Sequence, residues 1–229
     1  DHLADWDQYV RFVMNELKGR VHYFEVWNEP DAGYLATAEY AERPDTPTPE
    51  ARELYKDNDE YWIGDRYVPM VIRAREIADE VDPSIILLNG GWNRDYGGSS
   101  LEICRNRGMI EYINMYCMHH YGGGSFARWH NSIDRRYMSN AEENLGDYRD
   151  HIPMAVTEWG VRVNPNPSEP DPRMASSQRG RQLFLLKSVF YYLQTEKMHI
   201  LVMHTLGNFD DAREDPDQFG LVYRDLQDN

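Results

Sequence analysis

Apolar positions along this chain fall into two rhythms that take turns. Trp6, Tyr9, Val10, Val13, Met14 and Leu17 recur at helical spacing, with Asp5 as the candidate N-cap and Gly19 as the stop. A short apolar run over 21–27 follows and ends at Asn28-Glu29-Pro30. The stretch 31–65 is polar and rich in Pro, Asp and Tyr. A loop of that length inside a domain is usually a functional excursion, and this one leaves the same strand end as Glu29, so it is expected to wall a site. Val68, Val71, Ile72, Ile77 and Ala78 mark a second helix that stops before Asp82-Pro83. A strand over 84–88 then ends in Asn89-Gly90-Gly91-Trp92, and a short helix over 101–107 ends at Gly108. The run 112–118 leads into His119-His120-Tyr121 and three glycines. A helix over 139–149 precedes Ala155-Val156-Thr157-Glu158, from which a Pro-rich loop over 163–172 departs. The helix Gln178–Gln194 is apolar around much of its girth (Leu183, Leu186, Val189, Phe190, Leu193). The last strand, 199–203, ends in His204-Thr205, with an acidic loop and the apolar 219–222 beyond.

Short apolar runs set between helical patterns predict buried parallel strands, and their regular alternation predicts an α/β fold. Five such strands are expected. Two of them stop at a glutamate, Glu29 and Glu158, and a carboxylate at the C-terminal end of a parallel strand stands where α/β barrels place their reacting groups.

Composition narrows the function classes. With 229 residues, 41% hydrophobic and 13% aromatic, the chain is long and apolar enough for one globular domain, expected to span 1–229. A net charge of −15 argues against nucleic acid and against a polybasic membrane contact. No apolar run reaches membrane-span length. Cys104, on a helix, and Cys117, in a strand, are too few for a disulfide framework or a metal site, and buried free thiols are expected.

Two carboxylates facing one bond are the machinery of glycoside hydrolysis: one protonates the leaving oxygen, the other attacks or activates water. The plainer alternative for Glu29 is a glutamate that ends a strand and caps the next helix. His119 and Tyr121, two apart on a strand, share a face. A one-residue slip in register would bring His120 there instead, and a further alternative makes both histidines core-edge residues. Adjacent strand residues point opposite ways, so His119 and His120 do not pair as metal ligands, and no metal is expected. Trp92, Tyr96 and Trp159 follow strand ends, where they either stack on sugars or pack. Glu25 shares the face of Glu29 by alternation and is expected to need a partner such as an arginine.

The pairing of Trp27-Asn28-Glu29-Pro30 with Thr157-Glu158-Trp159-Gly160 resembles the strand-four and strand-seven signatures of the clan A retaining glycoside hydrolases. The resemblance covers essentially the whole chain. It maps the five strands onto strands four to eight of a (β/α)8 TIM barrel, leaving the first three units and the final helix apparently absent. It implies Glu29 as acid/base, Glu158 as nucleophile, Asn28 on the sugar's 2-hydroxyl, Tyr121 in contact with the nucleophile and His119 tuning the site. It further implies a carbohydrate substrate, no cofactor, and a secreted or extracellular setting. Many members end strand eight with a tryptophan beneath the sugar. Here Met203-His204-Thr205-Leu206 stands in that place, so His204 is the candidate replacement.

A five-strand arc has two open edges. Self-association, a complementing chain, or a sequence that continues beyond the one given are the expected ways to cover them. Two rival readings remain open at this level. One is a non-catalytic carbohydrate-binding or assembly protein on a partial barrel. The other is a metal-dependent hydrolase using His119, His120 and Asp210 or Asp211.

Overall fold

The computed structural model of the protein describes residues 2–32, 59–93, 98–121, 139–161 and 178–204. The long helical pattern at the start forms α1 (His2–Leu17), which already includes Asp5 in its first turn. Asp5 is therefore not the N-cap expected from the sequence. The chain divides into two compact units, Asp1–Met118 with Ala141–Met154, and His119–Asn140 with Ala155–Asn229.

In the first unit, β1 (Tyr23–Val26) pairs in parallel with β2 (Ile86–Asn89), Tyr23 opposite Ile86 and Val26 opposite Asn89. Two further parallel bridges, Leu88 to Met115 and Trp92 to Met118, bring in the start of β3 (Tyr116–Tyr121). Parallel neighbours need a crossover, and α2 (Val68–Val81) supplies the one between β1 and β2. Its buried residues Val71, Ala74, Ile77, Ala78 and Val81 recur at helical spacing. Trp6 Nε1 donates to Met70 O at 3.0 Å and Arg73 pairs with Asp7 at 2.5 Å, so α1 packs along α2. The short α3 (Gly98–Asn106) carries buried Leu101 and Cys104.

Two of the boundaries that differ from the sequence expectation have a cause in the backbone. The end of the polar stretch is not loop: Glu60–Tyr67 is a π-helix that runs straight into α2, with Trp62, Ile63 and Tyr67 buried. And β3 begins at Tyr116, because Gly108 takes a left-handed φ of 76° and Met109–Tyr112 close a 3-10 turn first.

Side chains lace the strands of this unit where backbone bonds run out. The Asn89 amide donates to Cys117 O and accepts from Cys117 N, both at 2.7 Å, as a peptide group would. Asn114 Oδ1 accepts from Leu87 N at 2.8 Å and from Arg75 at 2.7 Å. Cys104 and Cys117 are buried thiols.

In the second unit, β4 (Met154–Gly160) lies between β3 and β5 (Met198–Met203). The helix α4 (Ser139–Leu145) passes into a 3-10 turn over Gly146–Asp150 ahead of β4, and α5 spans Gln178–Gln194 as expected. Arg181, Phe184, Ser188 and Tyr192 form its buried face. Leu183, Leu186, Phe190 and Leu193 are exposed, by 43% to 69%. Among the described residues no helix is long and apolar enough to cross a membrane.

Candidate active site

The residues singled out from the sequence divide between the two units. Asn28, Glu29 and Trp92 belong to the first, and His119, Tyr121, Glu158, Trp159 and His204 to the second. Tyr96, Asp210, Asp211 and the loops over 163–172 and 219–222 lie outside the described residues.

In the second unit, alternation along β3 puts His119 and Tyr121 on one side and His120 on the other. The Tyr121 hydroxyl donates a hydrogen bond to Glu158 Oε2, and His119 Nδ1 stands 3.5 Å from the same oxygen. His119 is buried, while the Glu158 side chain keeps 29% of its surface exposed. The His204 ring meets Tyr121 edge to face, with centroids 6.1 Å apart, and its backbone N–H donates to Trp159 O at 2.8 Å. One carboxylate oxygen is thus held by a phenol beside an imidazole, at strand ends that leave it open to solvent. A carboxylate so held is fixed in direction yet reachable, as a nucleophile must be.

His120 faces the other way. Its Nδ1 lies 2.5 Å from the Tyr192 hydroxyl and its ring packs edge-on to Phe184, both on α5. Burial drives its pKa down to about 3, so the imidazole is neutral. His119 and His120 therefore serve opposite faces of β3, contrary to the metal-site alternative that joins them.

Trp159 follows Glu158 on β4, so its indole takes the opposite face of the strand, and it is buried. Trp92 is fully buried and packs edge-on to Tyr67 at 5.6 Å. Neither offers a ring face to a sugar. Their burial favours packing, one of the two alternatives that the sequence leaves open for each. Large aromatic surface at the end of a buried strand is taken up by the core.

In the first unit, Asn28 is exposed in the bend after β1 and Glu29 is buried. Trp27 and Glu29 have φ of 69° and 43°, the left-handed region that non-glycine residues seldom occupy. The strand period is broken at Trp27, so the expected common face of Glu25 and Glu29 does not follow from alternation. Glu25 does find a partner in the Gly91 N–H, from which it accepts at 2.6 Å.

Several residues that hold this bend carry no sequence signal of their role. The Tyr67 hydroxyl donates to Val26 O at 3.2 Å and accepts from Gly90 N at 2.6 Å. Asp31, buried, accepts from Asn93 N at 3.1 Å. A Cβ on Gly90 would stand 2.7 Å from Val26 O and 2.9 Å from Trp27 O, so only glycine fits between the strand ends.

No family model and no curated protein sequence matches the chain. Solved structures do. A family 39 glycoside hydrolase from Bacteroides cellulosilyticus aligns over 95% of this chain and 40% of its own, with a TM-score of 0.59 at 17% identity. The β-D-glucuronidase of Dictyoglomus thermophilum aligns over 97% and 32%, with a TM-score of 0.56 at 14% identity. The β-glucuronidase of Ruminococcus gnavus, solved with D-glucuronic acid, aligns over 97% and 34%, with a TM-score of 0.57 at 14% identity. The likeness is to part of a TIM-barrel glycosidase fold. The chain spans well under half the length of these structures, and at such identity the similarity speaks for the fold alone.

Proposed function

We propose that this chain is the strand-four to strand-eight portion of a (β/α)8 glycoside hydrolase, residues 1–229 serving as one catalytic domain that cleaves a β-linked or related equatorial glycosidic bond with retention. The observation that carries the reading is the Glu158 carboxylate, held by the Tyr121 hydroxyl with His119 beside it, at the end of a strand in a chain whose fold resembles barrel glycosidases. A histidine that only packed at the core edge would have no reason to stand, as His119 does, 3.5 Å from a half-open carboxylate.

In this reading Glu158 attacks the anomeric carbon while Glu29, as the acid, protonates the departing glycosidic oxygen. A glycosyl ester forms on Glu158. Glu29, now the base, then takes a proton from water, which displaces the sugar and restores both groups. The scheme requires the two carboxyls to stand about 5–5.5 Å apart in the working enzyme. Asn28 is assigned to the sugar's 2-hydroxyl and His204, against Tyr121, to the floor beneath the ring. No cofactor takes part. The substrate is a poly- or oligosaccharide met outside the cell, and the open strand edges are covered by a complementing chain, by a second copy, or by further residues of a longer protein.

The test is sugar release from a panel of polysaccharides and aryl glycosides, β-glucuronides included, by this chain and its Glu158→Gln form. Turnover that disappears in the variant is expected. Turnover that survives it removes Glu158 as nucleophile.

A further inference from the structure

The bend that carries Glu29 is under strain, and the atoms that hold it can be named. Non-glycine residues in the left-handed region cost about 1–3 kcal/mol each and persist only where their surroundings over-determine them. Trp27 and Glu29 are two such residues with only Asn28 between them. Three tethers flank the pair, and all end on 90–93 after β2. Glu25 accepts from Gly91 N, Asp31 accepts from Asn93 N, and Tyr67 bonds to both Val26 O and Gly90 N.

Tyr67 differs from the other two. It joins one backbone to the other, and the carbonyl it holds belongs to the residue immediately before the first left-handed one. Its hydroxyl is fully buried and uses both its donor and its acceptor capacity. It is the last residue of the π-helix Glu60–Tyr67, where the Val68 N–H reaches back five residues to Ile63 O. Such widened turns are rare and are found frequently at functional sites. Here the turn ends on the residue whose hydroxyl reaches the two strand ends.

We infer that Tyr67 is a positioning residue for Glu29: its hydroxyl, bridging Val26 O and Gly90 N, keeps the Trp27–Glu29 backbone left-handed and so aims the acid at the leaving oxygen. The inference rests on the assignment of Glu29 as the acid. Tyr67 does not touch substrate. Loss of its hydroxyl strips a buried C=O and a buried N–H of their shared partner, and the bend relaxes. General acid catalysis needs hydrogen-bond reach, and a displacement of about 1 Å can cost on the order of a hundredfold.

Tyr67→Phe and Glu29→Gln are compared on aryl glycosides of the responding sugar, one with a poor leaving group (phenyl) and one with an activated leaving group (dinitrophenyl). An activated phenolate departs without a proton, so only faulty acid delivery separates the two substrates. Tyr67→Phe is expected to lower kcat/KM, which reports only the steps up to the glycosyl ester, by about tenfold or more on the phenyl glycoside while sparing kcat/KM on the dinitrophenyl glycoside. Glu29→Gln should show the same split more steeply. Equal losses of Tyr67→Phe on both substrates, or none, overturn the positioning role and leave Glu29 as the acid. A Glu29→Gln variant without the split removes the acid assignment and this inference with it. Should Tyr67→Phe fail to fold, Asp31→Ala cuts the tether on the other side of Glu29 and should give the split, whereas Asp31→Asn, which keeps an oxygen to accept from Asn93 N, should not. Independently of turnover, a crystal structure of Tyr67→Phe in which Trp27 and Glu29 keep their positive φ overturns the inference.

Discussion

The Tyr121 hydroxyl on β3 donates to the Glu158 carboxylate on β4, one strand across. A hydrogen bond to a charged acceptor is worth about 1.5–3 kcal/mol. If it steadies the carboxylate for attack, Tyr121→Phe should lower kcat about 10- to 100-fold and leave the unfolding midpoint within a few degrees of the parent. Steady-state kinetics with a thermal melt separates this from a purely structural bond, which would move the midpoint and spare kcat.

His120 makes the second unit acid-sensitive. Its pKa is about 3 in the fold, because burial penalises the imidazolium, against about 6.5 in the unfolded chain. The unfolded chain therefore binds the extra proton. The stabilisation is complete above about pH 6.5 and is lost as pH falls toward 3, by about 1.4 kcal/mol per pH unit. His120→Asn, which keeps a polar group for Tyr192 and cannot titrate in this range, should flatten that slope. Urea unfolding at pH 7 and pH 5 checks it; equal slopes in parent and variant would contradict the assignment.

Gly90 should tolerate nothing larger. With an added Cβ at 2.7 Å from one carbonyl oxygen and 2.9 Å from the next, Gly90→Ala must push β1 and β2 apart where Tyr67 ties their ends. A loss of about 1–3 kcal/mol is expected, read as a fall in the denaturant midpoint at unchanged slope. An alanine variant as stable as the parent would mean that the strand ends are further apart in solution.

The outer face of α5 should be indifferent to charge within this chain. Phe190 and Leu193, 58% and 69% exposed, bury little when the chain is alone. Phe190→Lys should change stability by less than about 0.5 kcal/mol while reducing self-association, as seen by light scattering. A large destabilisation would show that the stripe is already covered within the chain.

Much of this architecture is legible in the sequence, for reasons that differ by element. The helix α2 is readable because Val71, Ile77 and Ala78 keep the helical period and Asp82-Pro83 ends it. The same-face relation of His119 and Tyr121 follows from the period of two, and the structure turns them both to Glu158. The π-helix Glu60–Tyr67 is not legible, since its wider turn moves buried residues off the 3.6 rhythm. Trp92 and Trp159 mislead because an aromatic after a strand looks the same whether it meets a ligand or the core. Tyr67 is invisible for a related reason: its hydroxyl joins the carbonyl of one strand end to the N–H of another, a contact that no spacing encodes.

The left-handed pair Trp27 and Glu29 has a consequence for any attempt to make this chain more robust. Relieving such backbone is among the readiest routes to a hardier protein, since natural chains are seldom at their stability optimum. A library selected for heat resistance alone would be drawn to glycine or asparagine at 27, and to a loosened 29, and would enrich variants that last longer while working less. Selection on turnover together with survival would leave those two positions as they are and collect its gains elsewhere in the fold.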